Sequence, residues 1–320
     1  MTNSKIAFLF PGQGSQAVEM GKELAEKYPV ARQTFEEADE AVGHKLSQVC
    51  FEGPEESLRL TEITQPAILT VSVAAARILK EHGLQPAFVA GHSLGEYSAH
   101  VVAGTIAFAD AVRTVRNRGR YMQEAVPVGV GGMAAIIGLS MEQVAAVCAD
   151  AAQGAVCELA NLNSPEQIVI SGNAEAVERA AALAKERGAK KAIILPVSAP
   201  FHCSLMKPAQ DRLAADLRAL TFHKPQIPVV SNVDAALLGD DDGDGDRSRD
   251  ALIRQVTGSV KWAQSLQLLI AQGIETFVEV GPGRVLWGLM RQIDKSKTCL
   301  YVGDEASLRK TMDHFAGVSA

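Results

Sequence analysis

The chain has 320 residues, more than the roughly 250–300 that one hydrophobic core usually spans, so its length implies a large domain with something appended or inserted. Hydrophobic residues make up 47% and charged residues 21%, the profile of a soluble globule, and with aromatics at only 5% the core must be built from Ala, Val, Ile and Leu. A net charge of −6 excludes the electrostatic footprint of a nucleic-acid binder, and no polybasic cluster offers itself to an anionic membrane.

The first apolar run, Ile6–Phe10, is too short for a signal peptide and reads as a buried strand stopped by Pro11-Gly12. Further strands are expected at Ala87–His92, Ala192–Val197, Ile227–Val233, Thr276–Val280 and Leu300–Gly303. Helical periodicity lies between them at Ala17–Lys27, Gln65–His82, Leu94–Ala103, Ala109–Glu124, Leu205–Leu220, Trp262–Gln272 and Val285–Ile293. Continuous apolar strands alternating with helices predict an α/β fold with a mostly parallel sheet covered on both faces. Residues 126–197 break this order. Gly131–Leu139, Met141–Ala152, Ala155–Leu162, Glu166–Ser171, Ala174–Arg187 and Lys191–Pro196 read βαββαβ, the ferredoxin-like order. The excess length is therefore assigned to a small domain, 126–197, inserted into a large one formed by 1–125 and 198–320.

No stretch of about 18 apolar residues is present, so nothing is expected to span a membrane. The five cysteines are scattered, odd in number and without a CxxC, which reads as reduced thiols in a cytoplasm and offers no metal site. Gly239–Asp250 is the one low-complexity segment. Asp240, Asp242, Asp244 and Gly245 fit the start of an EF-hand loop, but Ala251 stands where its bidentate Glu belongs, so the segment reads as a solvated loop.

Chemistry concentrates at Gly91-His92-Ser93-Leu94-Gly95, a G-x-S-x-G pentapeptide with a strand before it and a helix after it. Such a turn lifts Ser93 above the sheet edge and aims the Leu94 backbone N–H at a developing oxyanion. Ser93 needs a base. His92 is adjacent and points elsewhere, and His100 reads as a packed or solvated side chain. His202, in Ser198-Ala-Pro-Phe-His-Cys-Ser204, follows the expected strand Ala192–Val197 and so is placed at the carboxyl edge of the sheet. Cys203 reads as small packing. No acid follows His202 with triad context, as neither Asp211 nor Asp234 has a motif around it. A Ser–His dyad oriented by a backbone carbonyl and a triad both stay open. Arg118 lies on an apolar arc with Ala111, Val115, Tyr121 and Met122, where a charge that cannot be shed needs an anion. A structural salt bridge and a substrate carboxylate compete, and wheel position leans to the former. Gly12 and Gly14, after the first strand, free backbone N–H groups, and Gln13 is a candidate second oxyanion donor. The loop lacks the third glycine of a dinucleotide site.

PGQGSQ, GHSLGEYSA at Gly91–Ala99, RNRGRYMQ at Arg116–Gln123, SAPFH at Ser198–His202 and VEVGPG at Val278–Gly283 stand in one order along nearly the whole chain. Together they resemble malonyl-CoA:acyl carrier protein transacylases and the related acyltransferases of polyketide synthases. The resemblance implies a hydrolase-like large domain carrying the ferredoxin-like insert, with Ser93 acylated and His202 its base. It implies an oxyanion hole from the backbone N–H groups of Gln13 and Leu94, and the substrate carboxylate on Arg118, against the wheel-based preference. Gln255 matches a glutamine whose main-chain carbonyl orients the histidine, and Phe201 matches a bulky residue that excludes an α-methyl. The implied substrates are malonyl-CoA and a phosphopantetheinylated acyl carrier protein, with no bound cofactor and no metal. A polyketide-type malonyl acyltransferase and a serine hydrolase are the alternatives, and an esterase for neutral acyl groups has no need of Arg118. The carrier is expected to be acidic, with Lys185, Arg187, Lys190 and Lys191, or Arg113, Arg116 and Arg120, as candidate docking cations. A monomer is expected.

Overall fold

The fold grows from one strand. Ile6–Phe10 (β1) is five apolar residues in a row, every one buried, which suits only a strand covered on both faces. Ile6, Phe8 and Phe10 join one hydrophobic cluster and Ala7 and Leu9 join another, so β1 divides two cores. In the computed structural model, which describes residues 5–197, 199–239, 243 and 245–318, β1 is central in a six-stranded sheet. Its neighbours are Phe88–Gly91 (β2) and Thr276–Val280 (β9), both parallel to it. Thr298–Val302 (β10) extends one side in parallel, and Val229–Val230 (β7) extends the other, closed by the antiparallel Leu237–Leu238 (β8). The order is β10-β9-β1-β2-β7-β8.

The second sheet is made by Gly131–Ile137 (β3), Cys157–Ser164 (β4), Gln167–Asn173 (β5) and Lys191–Ile194 (β6), in the order β4-β5-β3-β6 with every pair antiparallel. That is the ferredoxin-like arrangement. Ala134 and Ile136 point to one face, where helices Met141–Ala152 and Ala174–Glu186 close a small core of their own. Met133 and Ala135 point to the other face, with Ala160 and Val169, and pack against Leu195, Val197 and Phe201. The edge of β4 is stitched by backbone to the segment that precedes helix Trp262–Ala271: Leu162 N–H donates to Val260 O at 2.9 Å and Val260 N–H to Ala160 O at 2.8 Å. Glu158 adds a clasp, accepting from Ser204 N–H at 2.9 Å and Ser204 Oγ at 2.6 Å.

Several expectations need correcting. The strand expected at Ala192–Val197 is β6, which ends at Ile194 and pairs only with β3 of the small sheet. His202 therefore does not enter from a strand of the large sheet; it arrives on the segment returning from the insert. The helix expected at Ala17–Lys27 spans only Lys22–Lys27, because Glu19 and Gly21 adopt positive φ and break the turn before it. The long helix expected from Gln65 begins at Thr61 and carries Pro66 inside it, where only one backbone hydrogen bond is forfeited. The strand expected over Ile227–Val233 shrinks to Val229–Val230. Helices Pro29–Val42 and Glu305–Val318 were not foreseen. Part of the Asp-rich segment, 240–242 and 244, lies outside the described residues, and from Asp246 the chain is not loop but the helix Asp246–Gln255. No helix among the described residues is long and apolar enough to cross a membrane.

Glycines mark where backbones meet. A Cβ on Gly95 would lie 2.0 Å from Phe10 O, and one on Gly91 would lie 1.9 Å from the Gly95 carbonyl. Gly288, inside the helix Val285–Ile293, has nothing within 4 Å of its would-be Cβ. Chemical denaturation should therefore separate two glycine-to-alanine changes. Gly95→Ala is expected to lose at least about 3 kcal/mol through forced backbone movement. Gly288→Ala should gain about 0.5–1 kcal/mol from helix propensity.

Candidate active site

The turn between β2 and the helix Gly95–Val102 holds Ser93 at φ 51°, a left-handed conformation that L side chains rarely adopt. Asn232, just past β7, stabilises it from below. Its Oδ1 accepts from Ser93 N–H at 2.7 Å and its Nδ2 donates to Gly91 O at 2.7 Å. Ser93 Oγ then stands 2.7 Å from His202 Nε2. His202 Nδ1 lies 3.0 Å from Gln255 O and 3.2 Å from Gly258 O. Carbonyls only accept, so Nδ1 carries the proton and Nε2 offers its lone pair to Ser93. Burial, and next the Arg118 charge, push the His202 imidazole down to about 3. It is a neutral acceptor throughout the physiological range.

No acid supports this pair among the described residues. Asp234 is bound by Arg254 at 2.8 Å and Asp211 by Lys207. The arrangement is a Ser–His pair held by main-chain carbonyls. Cys203, buried beside it, donates to Pro200 O at 3.1 Å, and burial raises its thiol to about 11, so it packs and does not react.

Arg118 projects from the helix Phe108–Glu124 and is only 2% exposed. One arm of its guanidinium donates to Gln65 Oε1 at 2.8 Å. The other donates to Gln255 Oε1 at 2.9 Å and reaches Ser93 Oγ at 3.2 Å. Its Nε has no partner, and no carboxylate pairs with it among the described residues. The structural salt bridge weighed from the sequence is thus absent there. A buried cation is held by neutral amides, with its charge uncompensated by direct contact.

Gln255 is more than an orienting carbonyl. Its Nε2 donates to Ser93 O at 2.9 Å and to Glu96 Oε2 at 2.7 Å, while its Oε1 accepts from Arg118. Glu96 is fully buried, and burial pushes its carboxyl up to about 7 against the pull of Gln255, Asn232 and Arg118. Gln65, Asn232 and Glu96 were not foreseen. Glu96 had a signal, an acid directly after the pentapeptide on an otherwise apolar helix. Gln65 and Asn232 had none.

Ser93, His202 and Arg118 line a cleft of about 500 Å³ together with Gln13, Leu94 and Phe201. The backbone N–H groups of Gln13 and Leu94 have no acceptor among the described residues. Gly12 presses this loop onto the elbow, since a Cβ there would sit 2.5 Å from His92 O. His92 faces away, bonded to Asn163 at 2.8 Å and edge-on to Trp262. Of the candidate docking cations, Arg187 pairs with Asp150, Lys190 with Glu166 and Arg113 with Asp110. Arg116 donates to Val42 O.

His100 is fully buried, both ring nitrogens lack a partner among the described residues, and burial holds it down to about 3. A lowered histidine is neutral in the fold but protonates in the unfolded chain below its usual 6.5. Its contribution is fully present above pH 6.5 and is lost as pH falls toward 3. Raised Glu96 and Glu279 act oppositely between 4.5 and 7, so the test is a difference. In urea titrations, His100→Leu should lose less stability than the parent between pH 6.5 and 3, by up to about 1.4 kcal/mol per pH unit.

The model of the family described as acyl transferase domain matches residues 7–310. A malonyl CoA-acyl carrier protein transacylase of Escherichia coli is 50% identical over 311 residues, covering 97% of this chain and 99% of that protein. The crystal structure of an acyl carrier protein S-malonyltransferase from Vibrio cholerae superposes with a TM-score of 0.93 at 52% identity, covering 96% of this chain and 99% of that one. A malonyl-transacylase solved in complex with a type II polyketide synthase acyl-carrier protein gives 0.93 at 46% identity, covering 97% and 99%. With a nucleophile elbow, a histidine on main-chain carbonyls and these relatives along nearly its whole length, the chain belongs to the acyl transferase domain family.

Proposed function

We propose that the protein transfers a malonyl group from malonyl-CoA to the phosphopantetheine thiol of an acyl carrier protein through a malonyl-Ser93 intermediate. The observation that carries this reading is Arg118. A buried guanidinium 3.2 Å from the nucleophile, with no acid of its own among the described residues, suits an acyl group that brings a carboxylate. The relatives named malonyl transacylases, one of them bound to an acyl-carrier protein, support the same substrates.

The steps follow from the geometry. His202 Nε2 takes the Ser93 proton as Oγ attacks the thioester carbonyl. The N–H groups of Gln13 and Leu94 receive the oxyanion. Collapse expels the coenzyme A thiolate, which takes the proton from His202. The carrier's thiol then gives a proton to His202, attacks malonyl-Ser93, and serine leaves with that proton. The Gln255 carbonyl holds the imidazole throughout. Arg118 pairs with the distal carboxylate, and acetyl would leave that cation unpaired. Phe201, wedged between the two cores at the cleft, limits room for an α-methyl. Acid–base and electrostatic groups of the chain suffice, so the reading needs no cofactor or metal. A cytoplasmic monomer, with 126–197 as its small domain, completes it.

Incubation with malonyl-CoA followed by mass spectrometry should find a malonyl adduct on Ser93 that disappears on adding holo carrier protein. No adduct on the wild type would sink the reading, and an adduct lost to water at the same rate with or without carrier would make the protein a hydrolase. Arg118→Ala should reduce the kcat/KM preference for malonyl over acetyl by about two orders of magnitude. An unchanged preference would remove Arg118 from the carboxylate site.

A further inference from the structure

Arg118 raises a question its own contacts do not answer: what aims a buried guanidinium at the acyl group? A carboxylate bonded to it would do so but would occupy the fork that the substrate needs. Instead the acid nearest in the network is Glu96, one amide away. Arg118 donates to Gln255 Oε1 at 2.9 Å, and Gln255 Nε2 donates to Glu96 Oε2 at 2.7 Å. The two ends of an amide have almost the same shape, so its orientation must come from its partners. Here every partner of Nε2 is an acceptor: Ser93 O at 2.9 Å, Glu96 Oε2, and Asn232 Oδ1 at 3.4 Å. Glu96 Oε2 is held in turn by Asn232 N–H at 3.2 Å. Glu96 Oε2 thus accepts from both Gln255 Nε2 and Asn232 N–H, while its Oε1 has no partner among the described residues.

We infer that Glu96 is a positioning and specificity-determining residue, which anchors the Gln255 amide and through it aims Arg118 at the acyl carboxylate. The geometry is a relay in which Arg118 donates to one end of an amide and Glu96 accepts from the other. It leaves the Gln255 main-chain carbonyl, and hence His202, untouched. This rests on the reading of Arg118 given above and adds the residue that sets its selectivity.

Glu96→Gln keeps the shape but weakens the anchor on the Gln255 amide, since its oxygen is a poorer acceptor and its N–H₂ competes for the same position. In the full-length protein, KM for malonyl-CoA should rise about tenfold, with kcat changed far less. Labelling of Ser93 by acetyl-CoA should keep its rate. Gln255→Leu, whatever it does to the labelling rates themselves, should lower the malonyl-over-acetyl ratio by the same factor, and adding Glu96→Gln to it should lower that ratio no further. The inference is overturned if malonyl and acetyl labelling fall together, if malonyl selectivity is unchanged in either single variant, or if the two effects add. Should Arg118→Ala leave malonyl preference intact, the carboxylate reading itself fails. Should Arg118→Ala abolish it while Glu96→Gln does not, only the relay fails.

Discussion

Everything at this site depends on three backbones brought into contact. The end of β1, the end of β2 and the first turn of the following helix meet so closely that Gly91 and Gly95 admit no side chain. That approach forces the chain between them into the left-handed turn at Ser93. Asn232 makes the turn tenable by bonding to the N–H on one side and a carbonyl on the other. The strain is stored in the nucleophile, and the parallel sheet beneath it supplies the burial that offsets the cost.

Electrostatics follow from that placement. The described residues put one permanent cation beside a neutral imidazole and give neither an acid in direct contact. Two unit charges 4 Å apart interact by about 4 kcal/mol at the effective dielectric of a protein surface and more inside. Arg118 therefore disfavours a proton on resting His202, and it favours any anion that enters. In a triad a carboxylate would raise the histidine's basicity and compete for the guanidinium. Two carbonyls orient the ring without adding negative charge.

Much of this was legible in the sequence, for physical reasons. A fully apolar strand such as Ile6–Phe10 announces itself, and so does the change of order over 131–194. The elbow is legible because its glycines are demanded by contact distances. His202 was found by elimination, although the strand preceding it belongs to the other sheet. Arg118 was recognised as a buried charge, but its partner was misjudged from the wheel: what faces a helix comes from distant segments, here Gln65 and Gln255. Asn232 and Gln65 were invisible because an amide carries no pattern until something is placed against it. The helices Pro29–Val42 and Glu305–Val318 escaped because their apolar faces are narrow and their outer faces densely charged.

The returning segment ties the two sheets together at one residue. His202 is bonded to the carbonyls of Gln255 and Gly258, while Phe201 before it packs between the small sheet and the larger core and Ser204 after it is clasped by Glu158. The base and the wall that limits the acyl group are thus neighbours in sequence, and the wall touches both sides of the cleft. Any parting of the sheets would stretch the chain through His202 and draw the imidazole off the serine. The width of the cleft and the readiness of its nucleophile are a single mechanical coordinate.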